Sequence, residues 1–520
     1  MYHLSPSFQC IVSFINISSA KIRLSLIRII DPRNSHTLKI LSFLAYHTMT
    51  DIDIDIDYLN VNRLAYTFES LHSSSNDTLR QLTKDTAIRA LKIMNKYQSL
   101  HPSYKSMISY LSNENTVFTS EWSASVDKTN RLLVNKYTDE LHDCLQDTDK
   151  EQIMEKIGNL SKIYTIQGNY QQILTILNQF HSVIQFRSQP NDLNQFIQNR
   201  YMEFNFIQYT TTLYNLIWFP LNNESSSSAT TSSLNAFKTI NNYFKKVTVY
   251  YNKNQMLINI NNSNKEIQYY WLLNWLHLTV YFNQGKFDEF LIEFDALIND
   301  ESTLKPLDIL NFDPVSLKTE ILIMFKISIA ITKPFKNLSL LNYEFSNIIG
   351  SDNEILFELF NDNNTFEFTV HEVFLSLSES NFKEFRINFN EEVFRNKLIS
   401  ILGYTFPHNA LSFIQFINNV VDFKNFLLII SITKRISKSN LMSLLGYSDD
   451  YMTNDLLLFI SILKLGELGI GYDYGNDLFY NSGIKQNNLA EQIKDLENRL
   501  TGESIANLIK GCLIEQALNS

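Results

Sequence analysis

KRISKSNLMSLLGYSDDYMTNDLLLFISILKLGELGIGYDYGNDLFY, residues 434–480, holds two short helical patterns followed by an alternating one. Ser437 is placed to cap a helix carrying Leu441, Leu444 and Leu445, and Gly446 ends it. Ser448 opens a second helix, in which Met452, Leu456, Phe459, Ile460 and Leu463 recur at three- and four-residue spacing between the polar Asn454, Asp455 and Ser461. Beyond it Ile470, Tyr472 and Tyr474 alternate with small or polar residues. Gly475-Asn476 offers a two-residue turn, and Leu478, Phe479 and Tyr480 return as the second arm of a hairpin.

Helix, helix, hairpin is the order of a winged helix, which is the expectation for 434–480. Its hairpin would expose backbone at Tyr472, Tyr474, Leu478 and Tyr480, an unpaired edge suited to strand addition. The competing reading has these tyrosines only covering the unit's own core. In the last segment, 486–520, Leu489, Ile493, Leu496 and Leu500 form an apolar stripe at helical spacing, and Ile505, Leu508, Ile509, Cys512 and Leu513 resume it. Such a terminal helix either gathers with partner helices or folds back on the body.

Upstream the patterns are helical and paired. Val61, Leu64, Ala65, Phe68 and Leu71, then Ala87, Ala90, Leu91 and Met94, mark two helices across a Ser/Asn-rich gap. Residues 152–180 and 268–298 share one design: Tyr164 stands four before Gly168-Asn169-Tyr170, and Tyr281 four before Gly285-Lys286-Phe287. An apolar helix precedes each glycine, and another follows through Ile173, Leu174 and Leu177 or through Phe290, Leu291 and Phe294. Glycine allows the positive φ that closes the first helix, and the aromatic ahead of the turn packs across it. Helical pairs of this kind bury their apolar faces by stacking on neighbours. The body is therefore read as a mainly α, right-handed solenoid of the tetratricopeptide kind. The serine-rich 222–233 and asparagine-rich 252–264 are expected to interrupt it as disordered loops.

With 520 residues, 44% of them hydrophobic, the chain can bury sizeable cores. Only 13 glycines and 9 prolines suit long packed helices better than a glycine-rich α/β enzyme. Cys10, Cys144 and Cys512 are too scattered for a disulfide framework or a Cys-x-x-Cys metal site, which fits a reducing nuclear or cytoplasmic home. No run of eighteen apolar residues is present in the sequence, so no membrane span is expected. The net charge of −10 disfavours a tight grip on a polyanion. The candidate recognition helix 448–463 carries Asp449, Asp450 and Asp455 without a lysine or arginine, and Lys434, Arg435 and Lys438 are the nearby basic cluster.

The first 48 residues carry Lys21, Arg23, Arg28 and Arg33 with no acidic residue before Asp31. A transit peptide, a disordered tail and a true start at Met49 are all open readings. Asp51, Asp53, Asp55 and Asp57 alternate with isoleucine and read as a solvated acidic end of this leader, 1–57, rather than a metal site, since linear alternation does not converge carboxylates on an ion. The ten histidines form no His-Glu-x-x-His or His-x-His pattern, and no Walker loop or Gly-x-Ser-x-Gly elbow occurs. The expectation is no enzyme, no catalytic residues, no cofactor and no metal.

Helical repeats ending in a winged helix and a helical tail resemble the PCI family, whose members scaffold the COP-nine signalosome, the proteasome lid and translation initiation factor three. Arg63-Leu64 with Thr86-Ala87-Ile88-Arg89-Ala90-Leu91-Lys92, and Gly158-Asn159-Leu160 with Tyr164 before Gly168-Asn169-Tyr170, are similar to the branch that holds signalosome subunit one and the lid subunit Rpn seven. Residues 374–389, centred on Ser380-Asn381-Phe382, look like the helix pair opening the PCI module, and 411–433 like its long helix. The resemblance implies a helical region at 58–150, repeats at 151–370, a PCI module at 371–485 and a bundle-forming tail at 486–520. It also implies a non-catalytic scaffold that pairs with other PCI subunits and positions a metalloprotease subunit, and so bears indirectly on cullin-RING ligases, from which that enzyme removes the Nedd modifier. Membership of the lid or of initiation factor three, and nucleic-acid binding as in PCI proteins of messenger-RNA export, are the alternatives.

Overall fold

The computed structural model describes residues 54–112, 117–147, 150–184, 200–219, 229–260, 264–299, 301–342, 354–363, 365–405, 410–447, 456–457, 460–461 and 465–482. It is mainly helical. The helices are α1 (Asn60–Leu71), α2 (Asp77–Tyr97), α3 (Tyr104–Leu111), α4 (Ser120–Asp147), α5 (Lys150–Ile166), α6 (Tyr170–Ile184), α7 (Tyr201–Leu213), α8 (Ala229–Ile260) and α9 (Asn264–Asn283). They continue as α10 (Phe287–Ile298), α11 (Glu301–Ile309), α12 (Leu317–Thr332), α13 (Glu354–Phe360), α14 (Phe366–Ser378), α15 (Phe382–Phe389), α16 (Glu392–Leu402) and α17 (Ala410–Thr433). Strand β1 (Arg435–Ser437), α18 (Lys438–Leu445), β2 (Ile470–Asp473) and β3 (Leu478–Asn481) follow.

The turns joining helical pairs share one geometry. Gly168 and Gly285 both sit at φ 70°, and the amide of the residue after each glycine reaches back to close the helix: Asn169 N–H donates to the Tyr164 carbonyl at 2.9 Å and Lys286 N–H to that of Tyr281 at 3.0 Å. This is the Schellman closure, in which the left-handed residue frees an amide to satisfy an orphan carbonyl. Gln98, Ser380 and Gly446 end α2, α14 and α18 in the same way, with Ser99, Asn381 and Tyr447 donating to Met94, Ser376 and Met442. The ring that crosses the second turn is Phe282, edge-on to Phe287, rather than Tyr281, which packs on His277.

Three expectations change. Residues 229–233 and 252–260 are helical, both within α8; 222–228 and 261–263 lie outside the described residues. Ala236, Ile240, Val247 and Tyr251 give α8 a buried stripe, and Phe244 and Tyr251 stack on His277 and Tyr270 of α9, so packing overrides the weak preference of Ser and Asn for loops. Residues 54–57 are not solvated: Ile54 and Ile56 enter the core, while Asp55 meets Lys96 and Tyr97, and Asp57 meets Lys96 and Arg89. Nor does each helical pair touch only its neighbours. Asn60 of α1 donates to the Val315 carbonyl at 3.1 Å and Thr67 to that of Ser400 at 2.9 Å, so the first helix packs against chain more than 250 residues on.

A continuous core runs from Ile54 to Phe479, with a smaller one between α4, α5, α6 and the start of α7. Over Phe413–Thr433, α17 is long and apolar enough to cross a membrane, and 67% of that window is buried inside the structure. Its charges are used internally. Lys424 donates to the carbonyls of Ala330, Ile331 and Lys333 at the end of α12, and Asp422 accepts from Arg386 of α15 at 3.1 Å.

Candidate functional site

The C-terminal sheet forms from residues the sequence placed well and one strand it did not. Ser437 accepts from Asn440 N–H as the expected cap of α18, and Gly446, at φ 76°, ends that helix. Ahead of the cap, Arg435–Ser437 forms β1, which pairs antiparallel with β3. The order is β1-β3-β2. The hairpin loop spans four residues rather than two, because Asp473 pairs with Leu478. The Asp473 carboxylate accepts from Gly475 N–H at 2.9 Å and from the Asn476 amide at 2.7 Å, which holds its carboxyl below the ordinary range, and Asp477 takes φ 51°.

This order corrects the expected edge. Leu478 and Tyr480 lie on the inner strand, opposite Ser437 and Arg435 on one side and Asp473 and Gly471 on the other, so they offer no unpaired backbone. The flank of β2 away from β3 is one of two open edges among the described residues, the outer flank of β1 being the other. Tyr472 on β2 is half-buried, packs on Phe479 at 4.7 Å and donates to Asp477 at 2.6 Å. Tyr474 is 76% exposed, in the loop rather than on a strand. Tyr480 lies across Gly471, where a Cβ would come within 2.6 Å of its hydroxyl. Exposed Leu444 on α18 and Ile432 on α17 add apolar surface to the same unit. The helix expected at 448–463 falls largely outside the described residues, where only Leu456, Leu457, Ile460 and Ser461 are placed, with Leu456 fully buried. Leu489, Ile493, Leu496, Leu500, Ile505, Leu508, Ile509 and Leu513 all lie outside them.

A second cluster ties the chain's two halves together. Arg63 of α1 pairs with Glu320 of α12, donates to Asn60 at 2.6 Å and to the Tyr404 hydroxyl at 3.3 Å, and Tyr404 in turn donates to Glu320. All four residues are buried, Glu320 completely. Every charge here is consumed by a neighbour and closed to solvent, so the cluster fixes structure and admits no substrate. Sequence reasoning reached Arg63 only through resemblance and missed Glu320 and Tyr404, which no local spacing connects to it.

The third feature is a cavity of about 150 Å³ where residues 54–58, α5 and the first turns of α7 and α9 converge. Asp55, Lys162, Arg200, Glu203 and Lys265 line it. Arg200 grips Glu203 with two bonds, of 2.5 and 2.8 Å. Burial opposes ionisation of Asp55, but hydrogen bonds from Tyr97 and Lys96 outweigh it and hold the carboxyl below its ordinary value. Behind Lys265, the fully buried Glu266 accepts from Met202 N–H at 3.0 Å. Burial pushes its carboxyl up to about 8 against that hydrogen bond, and Glu203 adds to the rise. The volume lies below the roughly 300–1,000 Å³ of ordinary small-molecule sites.

One histidine is buried among the described residues, and it is a core residue. His277, pushed down to about 3 by desolvation, stacks on Phe244 at 3.8 Å and meets the Tyr209 hydroxyl at 2.8 Å. Among the described residues no group of three or more His, Cys, Asp or Glu is arranged to hold a metal ion. No model of a known protein family matches the chain, and no curated protein matches it.

Proposed function

We propose that this chain is a non-catalytic scaffold subunit of the COP-nine signalosome, of the subunit-one type, helping to assemble the complex that removes the Nedd modifier from cullin-RING ligases. The observation that carries the reading is the order of elements from α14 to β3. A short helix pair closed at Ser380, the long buried α17, and a strand, a capped helix and a hairpin in a β1-β3-β2 sheet fit a PCI module with its winged helix, whose second helix, expected at 448–463, lies largely outside the described residues. Upstream, the helical pairs joined by matching closures at Gly168 and Gly285 fit a repeat region that displays such a module. In this role the open flank of β2 takes a strand from a neighbouring PCI subunit, and the apolar stripe at 489–513 joins a bundle of subunit tails. The lid of the proteasome and initiation factor three use the same architecture and form the alternative, with Rpn seven as the lid counterpart.

Purification of the tagged chain from its own cells, with identification of what travels with it, tests the assignment. Signalosome subunits and a cullin are expected, and loss of the gene should leave cullins in the modified state. Recovery of proteasome ATPases, or normal cullin processing in the deletion strain, would replace it. Within the complex, Ile493→Asp with Leu496→Asp should release the chain while its helical content and melting temperature hold.

A further inference from the structure

The cavity between α5, α7 and α9 sits in an acidic chain yet gathers positive charge. Its lining sets Lys162, Arg200 and Lys265 against Asp55 and Glu203, a surplus of one positive charge, in a protein whose net charge is −10. The acids are already engaged: Glu203 is held by Arg200 through two bonds, and Asp55 by hydrogen bonds from Lys96 and Tyr97, with the charge of Lys162 acting on it at longer range. Among the described residues, Lys162 and Lys265 have no carboxylate within ion-pair distance; Lys162 lies over the Tyr97 ring at 5.7 Å, and Lys265 is exposed at the cavity's rim. Two helices, α7 of 13 residues and α9 of 20, begin at the cavity wall, with Arg200 at the N-cap of the first and Lys265 in the first turn of the second, and Glu266 already takes the Met202 amide of α7. Glu266, the remaining acid nearby, is uncharged near neutral pH and does not cancel a lysine.

We propose that this cavity is a binding site for one phosphate-sized oxyanion, held between Lys162 and Lys265 at the converging ends of α7 and α9. The size matches the charge. A space of about 150 Å³, below the roughly 300–1,000 Å³ of ordinary small-molecule sites, suits a single phosphoryl group rather than a nucleotide. The ligand is a phosphoryl group, either free or carried on a larger molecule whose remainder stays outside. The site is independent of the sheet and of the scaffold assignment.

The test titrates the full chain with inorganic phosphate and, in parallel, with O-phosphoserine, by calorimetry at low ionic strength. Saturable one-to-one binding is expected, weakened about tenfold by Lys162→Met or Lys265→Met, since each removes one charge-assisted contact, and unchanged by the remote Lys336→Met. Tighter binding of O-phosphoserine identifies a carried phosphoryl group and equal binding a free ion; either supports the site. Lys265 is at the surface, so its variant reports on binding even where Lys162→Met lowers the melting temperature. Absence of saturable binding of either probe, or binding that Lys265→Met leaves as tight as before, overturns the proposal.

Discussion

Ser380 occupies a position that chemistry assigns to glycine. It ends α14 at φ 61° in the same closure that Gly168 and Gly285 make at 70°. A left-handed conformation costs an L-residue about 1–2 kcal/mol, and the extra unfolded-state freedom of glycine returns about 0.5–1 kcal/mol of that. Ser380→Gly should therefore stabilise by about 0.5–1 kcal/mol, and Gly168→Ala should destabilise by a similar amount, read from urea midpoints. At Gly168 a Cβ meets nothing within 4 Å, so the loss there would be backbone conformation alone. Gln98 is a poorer probe, because its side chain bonds the Asn95 carbonyl and offsets part of the strain. Glu266 supplies a pH effect of definite sign. Its folded value of about 8 lies above the ordinary 4.5, so the folded chain keeps a proton that the unfolded chain releases, and stability falls as pH rises from about 4.5 to 8. Of the groups that face it at the start of α7, Glu203 opposes its ionisation and Arg200 favours it, while Tyr250 of α8 and Tyr269 of α9, both raised by burial, stay neutral through that window. Glu266→Gln keeps the acceptor for Met202 and removes the titration. The variant should gain on the order of a few kcal/mol over the parent at pH 8 and almost nothing at pH 5.

At the scale of elements, what could be read from the sequence followed from periodicity and end signals. The helices at 60–71, 77–97, 150–166, 170–184, 264–283, 287–298, 410–433 and 438–445 fall where apolar spacing puts them, and Gly168, Gly285, Ser437 and Gly446 bound three of them as their chemistry requires. The misses share a cause: a short stretch whose partner is distant. Three residues, Arg435 to Ser437, give β1 one buried isoleucine and no alternation to read, yet it turns β3 from an edge into the inner strand. Ile54 and Ile56 look like half of an exposed ribbon until α2 supplies Lys96 and Tyr97 to the intervening Asp55. The two-residue turn expected at Gly475-Asn476 lengthens to four because Asp473 spends its carboxylate on the loop amides. The cavity was the least legible feature, since Lys162, Arg200 and Lys265 share no local pattern and look like solvated charges on separate helices.

For the whole molecule, the decisive feature is closure. A chain of helical pairs in contact only with its neighbours frays from its ends, since stability there is a sum of local terms. Here α1 is fastened to α12 and α16 by the Arg63–Glu320–Tyr404 cluster and by Thr67 on Ser400. Removing one partner of a buried pair leaves an uncompensated charge at a cost of about 3–5 kcal/mol, whereas replacing both by apolar groups can be close to neutral. Glu320→Gln should accordingly destabilise by about that amount, and Arg63→Met combined with Glu320→Met by much less. Hydrogen exchange gives the sharper readout. In the parent chain, amides of 60–71 and 392–402 should open together at the slow rate of the core, although they stand more than 300 residues apart. In Glu320→Gln the first helix should open alone and faster, with 392–402 less affected. Independent exchange of the two segments in the parent chain would mean that the ends are not coupled, and that the molecule behaves as an open stack after all.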